Sequence, residues 1–121
     1  MNILAGVITF YAGVYIGQPF YCGGIYTPDV VGIAVDLDAL PYWRCGDPVI
    51  VWDDGVRREL TIVDAGPLSL YNVGGVQIVG DVTMAAKWFD GLSTTAVVIN
   101  PAARDRLSME AKNENGGRLC Q

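Results

Sequence analysis

Apolar residues come in short runs along this chain, each broken after a few positions by glycine, proline or a polar pair. Runs of this length, rich in Val, Ile, Thr, Phe and Tyr, predict strands rather than helices. They fall near Gly6–Tyr11, Val30–Val35, Pro48–Trp52, Arg57–Val63, Val76–Val79 and Thr95–Ile99. "WDDGVRREL" is the clearest hairpin signal, with Asp54-Gly55 suited to a type I′ turn. "DVTMAAKWFDGL" departs from this pattern. Thr83 can cap a first turn, Met84–Phe89 can carry a short helix, and Gly91 can end it. From Pro101 the composition changes: Ala102–Lys112 reads as helical, and "NENGG" breaks it. Many short strands and one short helix predict a small β-barrel.

The totals narrow the function classes. At 121 residues, with 51 % apolar and 17 % charged residues, the chain can bury one modest core. The formal charge is 8 − 13 = −5, which argues against nucleic acid or an anionic membrane surface as the main partner. There is no His, so chemistry that needs imidazole is excluded. Cys22, Cys45 and Cys120 show no C-x-x-C spacing, and neither a metal site nor a cofactor is expected. Cys22 and Cys45 can pair in an oxidising compartment; otherwise all three are free thiols. "ILAGVITFYAGVYIG" lacks a basic leader, and Gln18-Pro19 stops it short of a membrane span. It reads as mature β-structure, with no signal peptide visible.

Two carboxylates stand out. Asp64 follows the apolar strand "TIV" and precedes a Gly-Pro turn, and Asp81 follows "GGVQIVG". If both strands end at one barrel rim, the two carboxylates share a groove. Burial and mutual repulsion then raise one pKa, which permits acid–base work on a glycosidic bond without His. The structural alternative is that Asp64 accepts N–H groups of its own turn and Asp81 serves the start of the short helix. Thr9 and Tyr11 are one strand period apart and share a face. Trp43, Trp52 and Trp88 are candidates for sugar stacking or for the core, and Asp53 and Asp54 read as turn residues.

"TFY" at 9–11, "YCGG" at 21–24, "RCGDPVIVW" at 44–52, "LTIVDAGP" at 60–67 and "GDVTMAAKWF" at 80–89 occur in an order that resembles one family. It is the double-psi β-barrel family of rare lipoprotein A, the barwin-like proteins and the catalytic domain of expansins. The resemblance covers roughly residues 5–99. It implies a mainly β fold, a six-stranded double-psi β-barrel (1–100) with one short helix; the composition adds a partly helical, partly mobile tail (101–121). The resemblance places Asp64 and Asp81 as catalytic residues and Thr9 and Tyr11 as substrate contacts, all on a polysaccharide groove. It also makes Cys22 and Cys45 a disulfide candidate. The chain departs from the family in having no His between Asp64 and Asp81, in its apolar "SLYNVGGVQIVG" insertion, and in its tail.

The implied function is binding or non-hydrolytic cleavage of cell-wall polysaccharide, peptidoglycan first. Its partner is a glycan strand, with protein partners possible through the tail, and its place is extracellular, cell-surface or virion-associated. The alternative is a non-catalytic structural module of a virion or cell-surface assembly that reuses the barrel. In that case residues 101–121 and "LSLYNVGGVQIVG" are the expected contact surfaces.

Overall fold

The computed structural model describes residues 2–109. Seven strands run in chain order: β1 (Ile3–Phe10), β2 (Ile33–Asp36), β3 (Pro48–Asp53), β4 (Val56–Gly66), β5 (Asn72–Val73), β6 (Val76–Val82) and β7 (Ser93–Ile99). A helix, α1, occupies 101–109. The sheet order is β1-β7-β3-β4-β2-β6-β5, and β6 also pairs with β1. That last pairing closes six strands into a barrel and leaves β5 outside as half of a small hairpin. Closure satisfies the backbone groups that an open edge would expose. Two pairs are parallel, β1 with β6 and β2 with β4; the others are antiparallel. This interlocking of two parallel pairs is the double-psi arrangement.

Alternation along the strands builds the core. Ile8, Ile33, Val49, Val51, Leu60, Ile62, Val82 and Val98 are buried in one cluster with Trp43. Each buried aliphatic side chain contributes about 1.5–3 kcal/mol over its exposed state. Gly80 is required inside this cluster. A Cβ there would lie 2.7 Å from Ile33 Cδ1 and 2.8 Å from Ile8 Cδ1, so β6 approaches its neighbours as closely as it does only without a side chain. Asp54 and Gly55 both take positive φ, 48° and 78°, as a type I′ turn demands.

The six sequence-predicted strands are present, shifted at their ends by up to three residues. Beyond them lies β5, which the sequence pattern does not predict and whose hairpin turns at Gly74-Gly75. The short helix expected at Met84–Phe89 does not form. After Thr83 the chain makes a single turn at 84–86 and then runs irregularly. Thr83 does not cap a helix. It is fully buried, donates to Val30 O at 2.6 Å and accepts from Gly32 N at 3.1 Å. Trp88 Nε1 donates to Asp53 Oδ2 at 2.8 Å, and the Phe89 ring meets Phe10 edge-on. These tertiary contacts override a weak local helix preference. They also bury Asp53, which is no free turn residue.

The helix expected from the tail composition is present over 101–109 and begins at Pro101, where a missing N–H costs nothing. Asn100 caps it, accepting from Ala103 N at 3.2 Å. Ala103 enters the core, so this part of the tail packs on the barrel. The expectations for 110–121, including Cys120, lie outside the described residues. No helix among the described residues is long and apolar enough to cross a membrane.

Candidate functional site

Backbone register assembles the site. Ala34 on β2 is the Cα partner of Asp64 on β4 and of Asp81 on β6, and Asp81 is the partner of Thr9 on β1. Directly paired residues point to one face of a sheet. Thr9, Asp81, Ala34 and Asp64 therefore form a row across four strands, turned away from the core residues Ile8, Val82 and Ile33 beside them in the chain and from Ile62, two positions before Asp64. The backbones of the two carboxylates stand two strand spacings apart, about 9.6 Å, with the Ala34 methyl between them.

Both parallel pairs reach this row through a bulge. Ile33 pairs with Ile62 but Ala34 with Asp64, so Val63 is the extra residue on β4. Val7 pairs with Ile78 but Ile8 with Gly80, so Val79 is the extra residue on β6. An extra residue reverses the inward–outward alternation and re-aims the side chains after it. Without the Val63 bulge, Asp64 would share the phase of Ile62 and point at the core.

The two carboxylates are held differently. Asp81 Oδ1 accepts from Thr9 Oγ1 at 3.0 Å, its single hydrogen bond among the described residues. Burial pushes its carboxyl up to about 6, and the Asp64 charge adds to the rise; the Thr9 hydroxyl opposes it. Asp81 thus carries a proton through mildly acidic pH. Asp64 has both oxygens engaged: Oδ2 accepts from the Tyr11 hydroxyl, and Oδ1 accepts from Tyr21 N at 2.6 Å. The Tyr11 phenol is raised well above its ordinary range, first by burial and then by its hydrogen bond to Asp64, so it stays a donor.

The segment between β1 and β2 forms a wall beside Asp64. Tyr26 is buried there, its hydroxyl donating to Tyr11 O at 3.3 Å and accepting from Met84 N at 3.1 Å. Cys22 and Cys45 are joined, with Cα atoms 5.4 Å apart, which ties this wall to the turn before β3. Thr9, Tyr11, Asp64 and Asp81 therefore lie at one end of the barrel.

The three tryptophans lie elsewhere. Trp43 is in the core, Trp52 carries the Arg57 guanidinium 6.0 Å from its ring centre, and Trp88 is tied to Asp53. Sequence reasoning missed Tyr15, Phe20 and Tyr26 as neighbours of Tyr11, and Ala34 as the centre of the row. Aromatic density over 10–26 was the available signal for the first three. Nothing in the sequence marks Ala34. Among the described residues no group of three or more His, Cys, Asp or Glu is placed to hold a metal ion.

No protein-family model matches the chain, and a search of curated proteins finds no match. Solved structures do match. The Streptomyces papain inhibitor SPI aligns with a TM-score of 0.60 at 18 % identity, covering 81 % of this chain and 93 % of that one. The expansin of Clavibacter michiganensis aligns as a mutant in complex with cellohexaose, with a TM-score of 0.51 at 16 % identity. Its apo form gives 0.51 at 18 %. Each expansin match covers 80 % of this chain and 50 % of the other, so the chain spans half the length of those structures. What it shares with all three is the fold, a double-psi-like β-barrel.

Proposed function

We propose that the chain binds a cell-wall polysaccharide along the row from Thr9 to Asp64, and that Asp81 serves as acid and base in a non-hydrolytic cleavage of the glycosidic bond. The observation that carries this reading is Asp81 itself. It is a carboxyl raised to about 6 with no cation beside it among the described residues, on one outward row with a second carboxylate. Such a group can give its proton to the leaving glycosidic oxygen as the bond breaks. The sugar's own hydroxyl then attacks the anomeric carbon and returns a proton to the Asp81 carboxylate, so no water is consumed. Asp64 orients the site through Tyr11 and raises the Asp81 pKa by its charge. The cellohexaose complex of the Clavibacter expansin fits a glycan reading of this fold.

The test is release of soluble fragments from purified peptidoglycan by the wild-type chain and by Asp81→Asn. Release by wild type that disappears in the variant supports the enzyme. Tight retention on the glycan without release reduces the proposal to a binding module.

A second reading has its own observation. Leu70 and Tyr71 are 73 % and 59 % exposed, and Val73 and Val76 continue this apolar edge on the β5–β6 hairpin. Exposed apolar patches mark interfaces. On this reading the barrel is a non-catalytic module of a virion or cell-surface assembly, docked through that hairpin; the likeness to a papain inhibitor also fits a protein-binding role. Leu70→Ser with Tyr71→Ser then abolishes self-association or partner capture in a size measurement and leaves glycan retention unchanged.

A further inference from the structure

We infer that the aromatic cup beside Asp64 is a binding site for a quaternary ammonium group. The Tyr11 ring centre lies 6.5 Å from that of Tyr15, 6.2 Å from Phe20 and 5.4 Å from Tyr26. The planes of these rings are tilted 68°, 41° and 49° to Tyr11, so the rings converge rather than stack. With Gln18 and Asp64 they enclose a cavity of about 90 Å³. The cup shares Tyr11 and Asp64 with the glycan row and extends from it toward Tyr15, Phe20 and Tyr26.

Its electrostatics favour a cation. Ring faces carry negative potential, and a carboxylate adds a full charge. Among the described residues no cation answers that charge. Among the described residues the ion pairs join Arg57 to Glu59, Arg104 to Asp105 and Arg106 to Asp47, and none reaches Asp64. The first 43 residues contain no Lys or Arg.

The hydrogen bonds select the kind of cation. A primary ammonium carries three donors that want acceptors. Each Asp64 oxygen already accepts a bond, from Tyr11 and from Tyr21 N, which leaves about two of its four acceptor positions for the three donors of a primary ammonium. A quaternary ammonium has no donors to satisfy. It gains the ring faces and the charge without leaving an N–H unmet, so choline-type head groups fit better than lysine or an amino sugar.

The probes are choline, tetramethylammonium, the uncharged choline isostere 3,3-dimethylbutan-1-ol and n-butylammonium, titrated into the full chain by calorimetry with backbone amide shifts followed by NMR. Choline and tetramethylammonium are expected to bind and to shift residues 15–20. The neutral isostere should bind about tenfold more weakly or worse, and n-butylammonium more weakly than choline. Tyr15 is half exposed, so Tyr15→Leu keeps the fold, as a far-UV spectrum can verify. It should weaken choline about fivefold or more, while Tyr15→Phe stays within about twofold. Flotation with phosphatidylcholine vesicles would assign the head group to a lipid, and choline binding without flotation would assign it to a soluble base. Equal affinity for the neutral isostere overturns the inference, as does unchanged choline affinity in Tyr15→Leu or choline shifts confined to other parts of the barrel. None of these outcomes bears on glycan cleavage, whose readout is fragment release.

Discussion

Asp47 and Asp81 are both withdrawn from water, and their surroundings drive them in opposite directions. Burial alone raises the pKa of either. Asp47 overcomes it with four donors: both Nη atoms of Arg106, one of them at 2.7 Å, Asn100 Nδ2 at 3.1 Å and Arg44 N at 2.9 Å. Its carboxyl falls to about 2. Asp81 has, among the described residues, the Thr9 hydroxyl alone and a like charge nearby, and rises to about 6. The first arrangement spends a carboxylate on structure, since it clamps α1 to the turn before β3. The second leaves one able to exchange a proton. Neither burial nor residue type separates the two; the number and charge of the partners do.

The same substitution at both positions should expose that difference most strongly. Asp81→Asn keeps the shape and the acceptor for Thr9 but cannot carry the proton. Cleavage should fall about 10²–10⁴-fold. Stability at pH 7 should rise by about 1–3 kcal/mol, because a carboxylate charged at a cost is gone. Asp47→Asn should leave cleavage nearly intact and lower stability by about 3 kcal/mol, since it strands the Arg106 charge. Urea denaturation of both variants, beside fragment release, checks all four outcomes. Parallel behaviour of the two variants would dissolve the contrast.

Much of this architecture was legible in the sequence, and the reasons for the failures are physical. Strands are announced locally, by β-branched runs between glycines, and so is the Asp54-Gly55 turn. Asp64, Asp81, Thr9 and Tyr11 could be named because a family pattern placed them; register brings Thr9, Asp81 and Asp64 into one row, and a hydrogen bond joins Tyr11 to Asp64. Non-local contacts were not legible. The clamp on Asp47 draws on Arg44, Asn100 and Arg106, the last 59 positions away, and no spacing rule joins them. The helix expected at Met84–Phe89 gave way to bonds made by Thr83 and Trp88 with distant strands. Asp53 looked like a turn residue because it precedes Asp54-Gly55; only Trp88 and Thr95 reveal it as a buried acceptor. The Val63 bulge that aims Asp64 outward leaves no mark in the residue pattern.

The wild-type chain offers a second probe of the comparison, in the pH dependence of folding. Asp47 has a folded pKa of about 2, below its ordinary 3.8. Its contribution of about 2 kcal/mol is complete above the ordinary value and is lost as pH falls toward 2. Asp81 has a folded pKa of about 6, above 3.8, so the folded state binds the extra proton between those values. Stability therefore falls by about 3 kcal/mol as pH rises through that window. For these two groups alone the maximum lies near the ordinary carboxylate pKa. Denaturation midpoints from pH 2 to 7 should decline on both sides of it. Asp81→Asn should remove the neutral-side decline and Asp47→Asn the acid-side one.

The smallest expected effect isolates a single hydrogen bond. Thr9 is the one donor on Asp81 among the described residues, and it works against burial by favouring the charged form. Thr9→Val keeps the branched shape on β1 and removes the hydroxyl. Asp81 then becomes more like an undefended buried carboxyl, and its pKa should climb further. A net hydrogen bond of about 1 kcal/mol corresponds to about 0.7 pH unit. If Asp81 must be protonated for cleavage, the alkaline limb of the pH–rate profile should move up by about that much. Carbon-13 chemical shifts of the Asp81 carboxyl give the same quantity without any assay of activity. At Asp47, removing one donor by Asn100→Ala should also raise the pKa, but from about 2, leaving the carboxylate charged throughout the physiological range. One lost donor should therefore change the proton-transfer behaviour of Asp81 and have no such consequence at Asp47. A Thr9→Val profile that stays in place, or moves to lower pH, would mean that the hydroxyl does not set the Asp81 proton affinity.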